Sequence, residues 1–106
     1  MDFHRSVFCT CQFPATHNWP GATAPVVYLQ NEHRHIFKVS ARAEVSHNDR
    51  DIEFITLKEV LQKFCDEQWA GRDIGATSCE DIAQTLLNAF EELDSVTVSE
   101  DGENGA

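Results

Sequence analysis

His33-Arg34-His35-Ile36-Phe37-Lys38-Val39-Ser40-Ala41-Arg42-Ala43-Glu44-Val45 is the stretch on which the fold turns. Its odd positions carry His33, His35, Phe37, Val39, Ala41, Ala43 and Val45, whereas its even positions carry Arg34, Ile36, Lys38, Ser40, Arg42 and Glu44. Alternation with a period of two over this length marks a strand with one buried face and one mostly polar face. Both histidines have the buried parity and stand at its N-terminal end. Two imidazoles spaced this way share a face about 7 Å apart along the backbone, close enough to share an ion.

Upstream, residues 14–32 contain Pro14, Pro20, Gly21 and Pro25, which punctuate a long loop. A loop of that length in a small domain is usually functional or disordered. Before it, residues 3–13 (Phe3, Val7, Phe8, Cys9, Cys11 and Phe13) are rich in strand formers and read as a first strand. His17 heads the loop that returns to His33, so a third imidazole is available to the pair. Zinc takes three or four nitrogen or sulfur ligands held close together, and a catalytic site leaves one position open. His17, His33 and His35 suit that donor set, with Glu32 beside the pair but on the opposite parity. Pairs of the His-x-His type also occur on strands as hydrogen-bonded or exposed residues, so spacing alone leaves both readings open.

Downstream, His47-Asn48-Asp49-Arg50 is a polar turn and Asp51–Ile55 reads as a short resumed strand. Thr56-Leu57-Lys58-Glu59 fits a capping box, and Leu57, Val60, Leu61, Phe64 and Cys65 follow at helical spacing. Thr77-Ser78-Cys79-Glu80 fits a second box, ahead of the stripe Ile82, Ala83, Leu86, Leu87, Phe90 and Leu93. Gly71 and Gly75 punctuate the link between the helices. Val96-Thr97-Val98 reads as a last short strand. The order is β-β-α-α-β with room for one more short strand. This is a single α+β domain over residues 1–100, followed by a polar tail at 101–106.

The chain has 106 residues, 42% hydrophobic, and a formal net charge of −10. That length holds one domain, and the apolar fraction is ordinary for a globular protein. Residues 1–63 carry seven acids and seven bases, whereas residues 64–106 carry eleven acids and one base, Arg72. The whole net charge therefore falls in the second part. Such a surface repels phosphate backbones and anionic lipid, so neither nucleic acid nor membrane is the expected partner. No apolar run approaches the roughly 20 residues needed to cross a bilayer. Met1-Asp2-Phe3-His4-Arg5 lacks the basic flank and apolar stretch of a signal peptide, and a cytoplasmic location is expected.

Cys9, Cys11, Cys65 and Cys79 show no zinc-ribbon or redox spacing. Cys9 and Cys11 share a strand face, where such a pair either binds metal or fills a core. Disulfides are not expected in the cytoplasm. Cys79 falls at the start of the second helix, where the macrodipole lowers a thiol pKa.

Five segments, in order, resemble the 6-pyruvoyltetrahydropterin and 6-carboxytetrahydropterin synthase family. Phe13-Pro14-Ala15-Thr16-His17 is similar to its Phe-x-Ala-x-His segment, and His33–Val39 to its His-Gly-His-x-Tyr-x-Val strand. Asp51–Lys58 resembles its Val-x-Asp-Phe-x-x-Leu-Lys entry into the first helix. Thr77–Ala83 resembles its Pro-Thr-Ser-Glu-Asn-Ile-Ala helix start, and Val96–Glu100 its Val-x-Val-x-Glu strand. The resemblance implies a T-fold: an antiparallel sheet built from a β-hairpin, two helices and one or two further short strands, oligomerising into a barrel as a trimer or hexamer. It implies that His17, His33 and His35 bind zinc. It also implies that Glu100 anchors the base of a pterin or purine nucleotide, with Ser78 and Glu80 as further substrate-binding residues. A carboxylate suits that role, because its two oxygens accept parallel hydrogen bonds from the N–H pair on a pterin or guanine edge.

The family's chemistry also uses a cysteine upstream of the His-x-His pair and an Asp-His pair following the first helix. Here Pro25–Glu32 contains no cysteine, and Asp66–Asp73 contains no histidine. No catalytic residue is assigned; Cys79, Cys9, Cys11, Tyr28 and Glu32 occupy none of the family's catalytic positions. Two functions follow from the resemblance. One is a carbon–oxygen lyase acting on a dihydroneopterin triphosphate-like ligand. The other is a catalytically degenerate module that recognises or sequesters a pterin or purine nucleotide.

Overall fold

In the computed structural model, which describes residues 3–106, the alternating stretch forms strand β2 (His33–Val45) over the whole of its length. Its partner β1 (Arg5–His17) pairs with it antiparallel, from Arg5 opposite Val45 to His17 opposite His33. Met1 and Asp2, part of the N-terminal reading, lie outside the described residues. β1 runs four residues beyond the expected end and takes in Pro14. An edge strand tolerates a proline, because its outward side has no strand to donate to. The loop at 71–75 covers that edge: Gly71 N–H donates to the Pro14 carbonyl (2.7 Å) and Ile74 N–H to that of Thr16 (2.8 Å).

The expected short strand at Asp51–Ile55 is absent. Helix α1 (Phe54–Gln68) begins there instead, three residues ahead of the anticipated Thr56 cap. The Glu53 carboxylate accepts from the amides of Ile55 (2.5 Å) and Thr56 (3.3 Å), and satisfying these first-turn donors starts the helix early. Leu57, Leu61 and Cys65 form its buried stripe against β1. Helix α2 (Cys79–Ala89) opens on a capping box between Ser78 and Asp81, one residue on from the Thr77–Glu80 box read from the sequence. Ile82, Ala83 and Leu86 are buried on its inner side, which faces strand β3 (Ser95–Glu100).

β3 lies antiparallel to β2 with Val98 opposite Val39 and Glu100 opposite Phe37. The stretch read as a polar tail folds back. Asp101 and Gly102 take positive φ (59° and 78°), the turn chemistry of an Asp-Gly hairpin. Strand β4 (Asn104–Gly105) then pairs with Glu100 and Ser99. Gly105 approaches β3 so closely that a Cβ would overlap the Val98 carbonyl oxygen.

The result is an α+β domain of T-fold-like order, a four-stranded antiparallel sheet β1-β2-β3-β4 with two helices. Phe13, Val39, Phe37 and Val98 from the sheet meet Leu61, Cys65, Ile82 and Leu86 from the helices, all fully buried. Each such side chain contributes about 1.5–3 kcal/mol of burial free energy. No helix among the described residues is long and apolar enough to cross a membrane.

Candidate metal centre

Register brings the histidines together. His17 ends β1 and His33 begins β2, so they stand directly opposite each other, with His35 two residues along the same face. The three rings pack edge to face, with centroids 4.5 Å (His17–His33), 4.9 Å (His33–His35) and 5.2 Å (His17–His35) apart. The β3 register adds Glu100, whose Oε2 lies 2.8 Å from His17 Nε2 and 3.5 Å from His35 Nε2. One donor atom from each of the four residues falls within 4.8 Å of every other.

Each imidazole is oriented through its other nitrogen. His17 Nδ1 donates to the Thr77 carbonyl (2.9 Å), and His33 Nδ1 to the Asn31 carbonyl (2.8 Å). His35 Nδ1 donates to Asp101 Oδ2 at 2.8 Å. Carbonyl and carboxylate oxygens only accept, so these contacts place a proton on each Nδ1 and fix the tautomer. The Nε2 atoms of His17 and His35 both lie against Glu100 Oε2, and His33 brings a ring nitrogen within 4.8 Å of the same group. This outward anchoring is the arrangement that holds metal-ligating histidines.

His17 is buried and its Nε2 has no hydrogen-bond donor, yet it faces the Glu100 carboxylate at 2.8 Å. Two acceptors at that separation repel unless a proton or cation lies between them. Three neutral imidazoles and one carboxylate are a donor set that can hold a divalent metal ion.

Asp101, the anchor of His35, also accepts from the Ile36 amide at 2.9 Å. That backbone bond, followed by the bond from His35, holds its carboxyl below the ordinary carboxylate range.

A cavity of about 490 Å³ opens beside the centre, lined by His17, His33 and Glu100 from the cluster and by Trp19, Leu29, Ser78, Cys79, Glu80 and Asn104 around it. Its size is that of a small-molecule site. The sequence-derived residues Ser78, Glu80 and Glu100 therefore share one cavity with two of the three histidines. Glu100 stands among the imidazoles and also lines the cavity. Cys79 departs from the helix-terminus expectation. Burial first, then the charges of Glu100 and Glu80, push its thiol up to about 11. Cys9 and Cys11 are buried in the core; Cys11 Sγ lies 3.9 Å from Cys65 Sγ. Tyr28 is exposed and does not line the cavity.

Sequence reading missed the anchors Asn31, Thr77 and Asp101, because two of them act through backbone carbonyls that no residue type announces. It missed Glu100 as a member of the cluster. One signal was available: Val96, Val98 and Glu100 share a parity, and both valines pack into the core.

No family model matches the chain, and no curated protein matches it. Among solved structures it is similar to the crystal structure of an uncharacterized protein from Wolinella succinogenes, with a TM-score of 0.86 and 13% identity over 99% of this chain and 97% of that one. At that identity the likeness shows the fold alone.

Proposed function

We propose that this chain is a zinc-binding protein of the pterin synthase type that takes up a pterin or purine heterocycle beside the metal, and that it binds this ligand without transforming it. The observation that carries the reading is the convergence of three imidazoles and Glu100 within 4.8 Å, each ring oriented by a hydrogen bond at its Nδ1. Zinc suits three imidazoles and a carboxylate in tetrahedral array. Bound there by all four side chains, zinc would hold the histidines and Glu100 in place beside the cavity.

Two features support binding over lyase chemistry. Among the described residues lining the cavity, the only thiol is Cys79, and its raised pKa makes it a poor proton acceptor at neutral pH. Glu100, held against His17, occupies the position of a fourth donor, so the set is complete without substrate. A homo-oligomeric ring, trimer or hexamer, belongs to the same reading. The exposed Phe8, Phe54, Ile55 and Val60 support it as apolar surface a partner subunit would cover.

The experiment is metal analysis of the purified protein, followed by calorimetry and product analysis with zinc-loaded protein and dihydroneopterin triphosphate, neopterin or guanosine. One zinc per chain and heterocycle binding without triphosphate release is the expected result. Stoichiometry far below one, unrestored by added zinc, removes the metal reading. Catalytic triphosphate release replaces the binding reading with the lyase.

A further inference from the structure

We infer that the ligand of this cavity is an unphosphorylated planar heterocycle, stacked on Trp19 and met on its N–H edge by Glu80. The inference rests on the heterocycle-binding reading above and adds the ligand's charge class, the stacking residue Trp19 and a specific contact for Glu80.

Charge decides the first part. Among the described residues, no lysine or arginine lines the cavity, whereas Glu80 and Glu100 both do. The basic residues of β2 lie elsewhere: Arg34, Lys38 and Arg42 have the exposed parity, and Lys38 lies along the outer turn, with its side chain 3.4 Å from where a Gly102 Cβ would stand. One divalent ion offsets the two carboxylates, and the described residues of this chain add no lysine or arginine at the lining to meet a phosphate. A phosphorylated ligand would therefore bring its charge against an acidic lining in a chain that already carries a net −10.

Trp19 decides the second part. Its backbone is fixed on both sides: its N–H donates to the Leu29 carbonyl (2.7 Å), and its carbonyl accepts from Ala22 N–H (3.1 Å). The preceding Asn18 N–H is tied to the Gly75 carbonyl at 2.9 Å. These bonds fix the backbone that carries the indole, and the residue lines the cavity while remaining 53% exposed. Gly21 leaves it room, since a Cβ there would stand 3.3 Å from the indole Nε1. An exposed indole on a bonded stretch of backbone beside a cavity offers a stacking platform, and stacking accepts any flat ring. Glu80, in the first turn of α2, supplies acceptors across the cavity for ring N–H groups.

The test uses the zinc-loaded full chain and calorimetric titration with neopterin, guanosine, guanosine monophosphate and guanosine triphosphate. Neopterin or guanosine should bind, with each phosphorylated form at least about tenfold weaker. Trp19→Ala should lose about 10- to 100-fold in affinity and Trp19→Phe much less, while both keep their zinc. Glu80→Gln should weaken guanosine and neopterin without changing zinc content. Tighter binding of the phosphorylated forms, or parent-like affinity in Trp19→Ala, overturns this inference while leaving the heterocycle-binding reading intact. Failure of all four compounds to bind zinc-loaded protein overturns that reading and this inference with it.

Discussion

The Nε2 atom of His17 and the Oε2 atom of Glu100 lie 2.8 Å apart, with the other nitrogen of His17 committed to the Thr77 carbonyl. Both facing atoms are acceptors while the imidazole is neutral. The contact is unfavourable while the imidazole is neutral and metal-free, and favourable once a proton or a cation lies between the two atoms. The same pair should therefore respond in opposite senses to removing the charge, depending on whether metal is present.

Glu100→Gln tests that sign. The amide can turn an N–H toward His17 Nε2, so in chelator at pH 8 the variant should melt at or above the parent temperature. With zinc the order should reverse. Loss of an anionic donor should cost about tenfold or more in metal affinity, since even outer-shell substitutions cost about 10- to 100-fold. The melting-temperature gain on adding zinc should shrink accordingly. Thermal scans of both proteins, with chelator and with zinc, make the comparison. An undiminished zinc gain in the variant would return Glu100 to the role of base anchor alone.

Cys79 should be inert in native, chelator-treated protein. Burial and the neighbouring carboxylates push its thiol up to about 11, so at pH 8 about one molecule in a thousand carries the thiolate. A free cysteine has roughly a quarter in that form. Alkylation with iodoacetamide, read by peptide mass spectrometry, should be more than about 100-fold slower for native than for urea-unfolded protein. Rapid native labelling at Cys79 would favour the helix-terminus effect over burial.

What the sequence made legible follows from how far each signal reaches along the chain. The alternation from His33 to Val45 is local and long, so strand, face and histidine parity could all be read from it. The meeting of His17 with that strand was legible because a hairpin returns the chain to its own start. The start of α1 was not, because Glu53 is an uncommon N-cap and Thr56 offered a more familiar one three residues later. The return of β4 rests on an Asp-Gly turn inside an acidic stretch that composition alone reads as solvated. The tilt of Glu100 into the cluster depends on the β2–β3 register, a long-range pairing that no local pattern specifies.

Asp51 gives the fold a pH-dependent clamp well away from the cluster. Its carboxylate accepts from the Ser46 amide (2.8 Å) and hydroxyl (3.0 Å), closing the turn between β2 and α1. The backbone bond first, then the hydroxyl, lowers its carboxyl pKa below the ordinary value. A depressed folded-state value means the stabilisation is full above the unfolded value near 3.9 and is lost as pH falls through the folded one. The Asp51→Asn variant keeps an acceptor at this position but not the charge. Its deficit against the parent in urea unfolding should shrink as pH falls below about 4. A deficit that grows on acidification below about pH 4 would contradict the assignment.

Phe37 should couple the core to the metal centre, and its neighbour Phe13 should not. Phe37 is fully buried, with His17 at 5.1 Å and His35 at 5.9 Å edge-on to its ring, so it forms the floor on which two imidazoles rest. Phe13 stacks on the other side of Phe37 at 5.4 Å and on Trp69 at 5.4 Å, one layer removed from the histidines. Replacing either by Leu removes part of a buried ring, at a cost of about 1–2 kcal/mol in unfolding free energy. The costs should be similar because the two rings are equally enclosed. Only Phe37→Leu withdraws the surface that sets the ring angles of His17 and His35, and ligand orientation of this kind is worth about tenfold in metal affinity. Urea unfolding of the metal-free variants gives the first quantity, and zinc competition against a chromogenic chelator gives the second. Equal losses of zinc affinity in both variants would mean that general loosening of the core, and not the support of two imidazoles by one ring, governs the site.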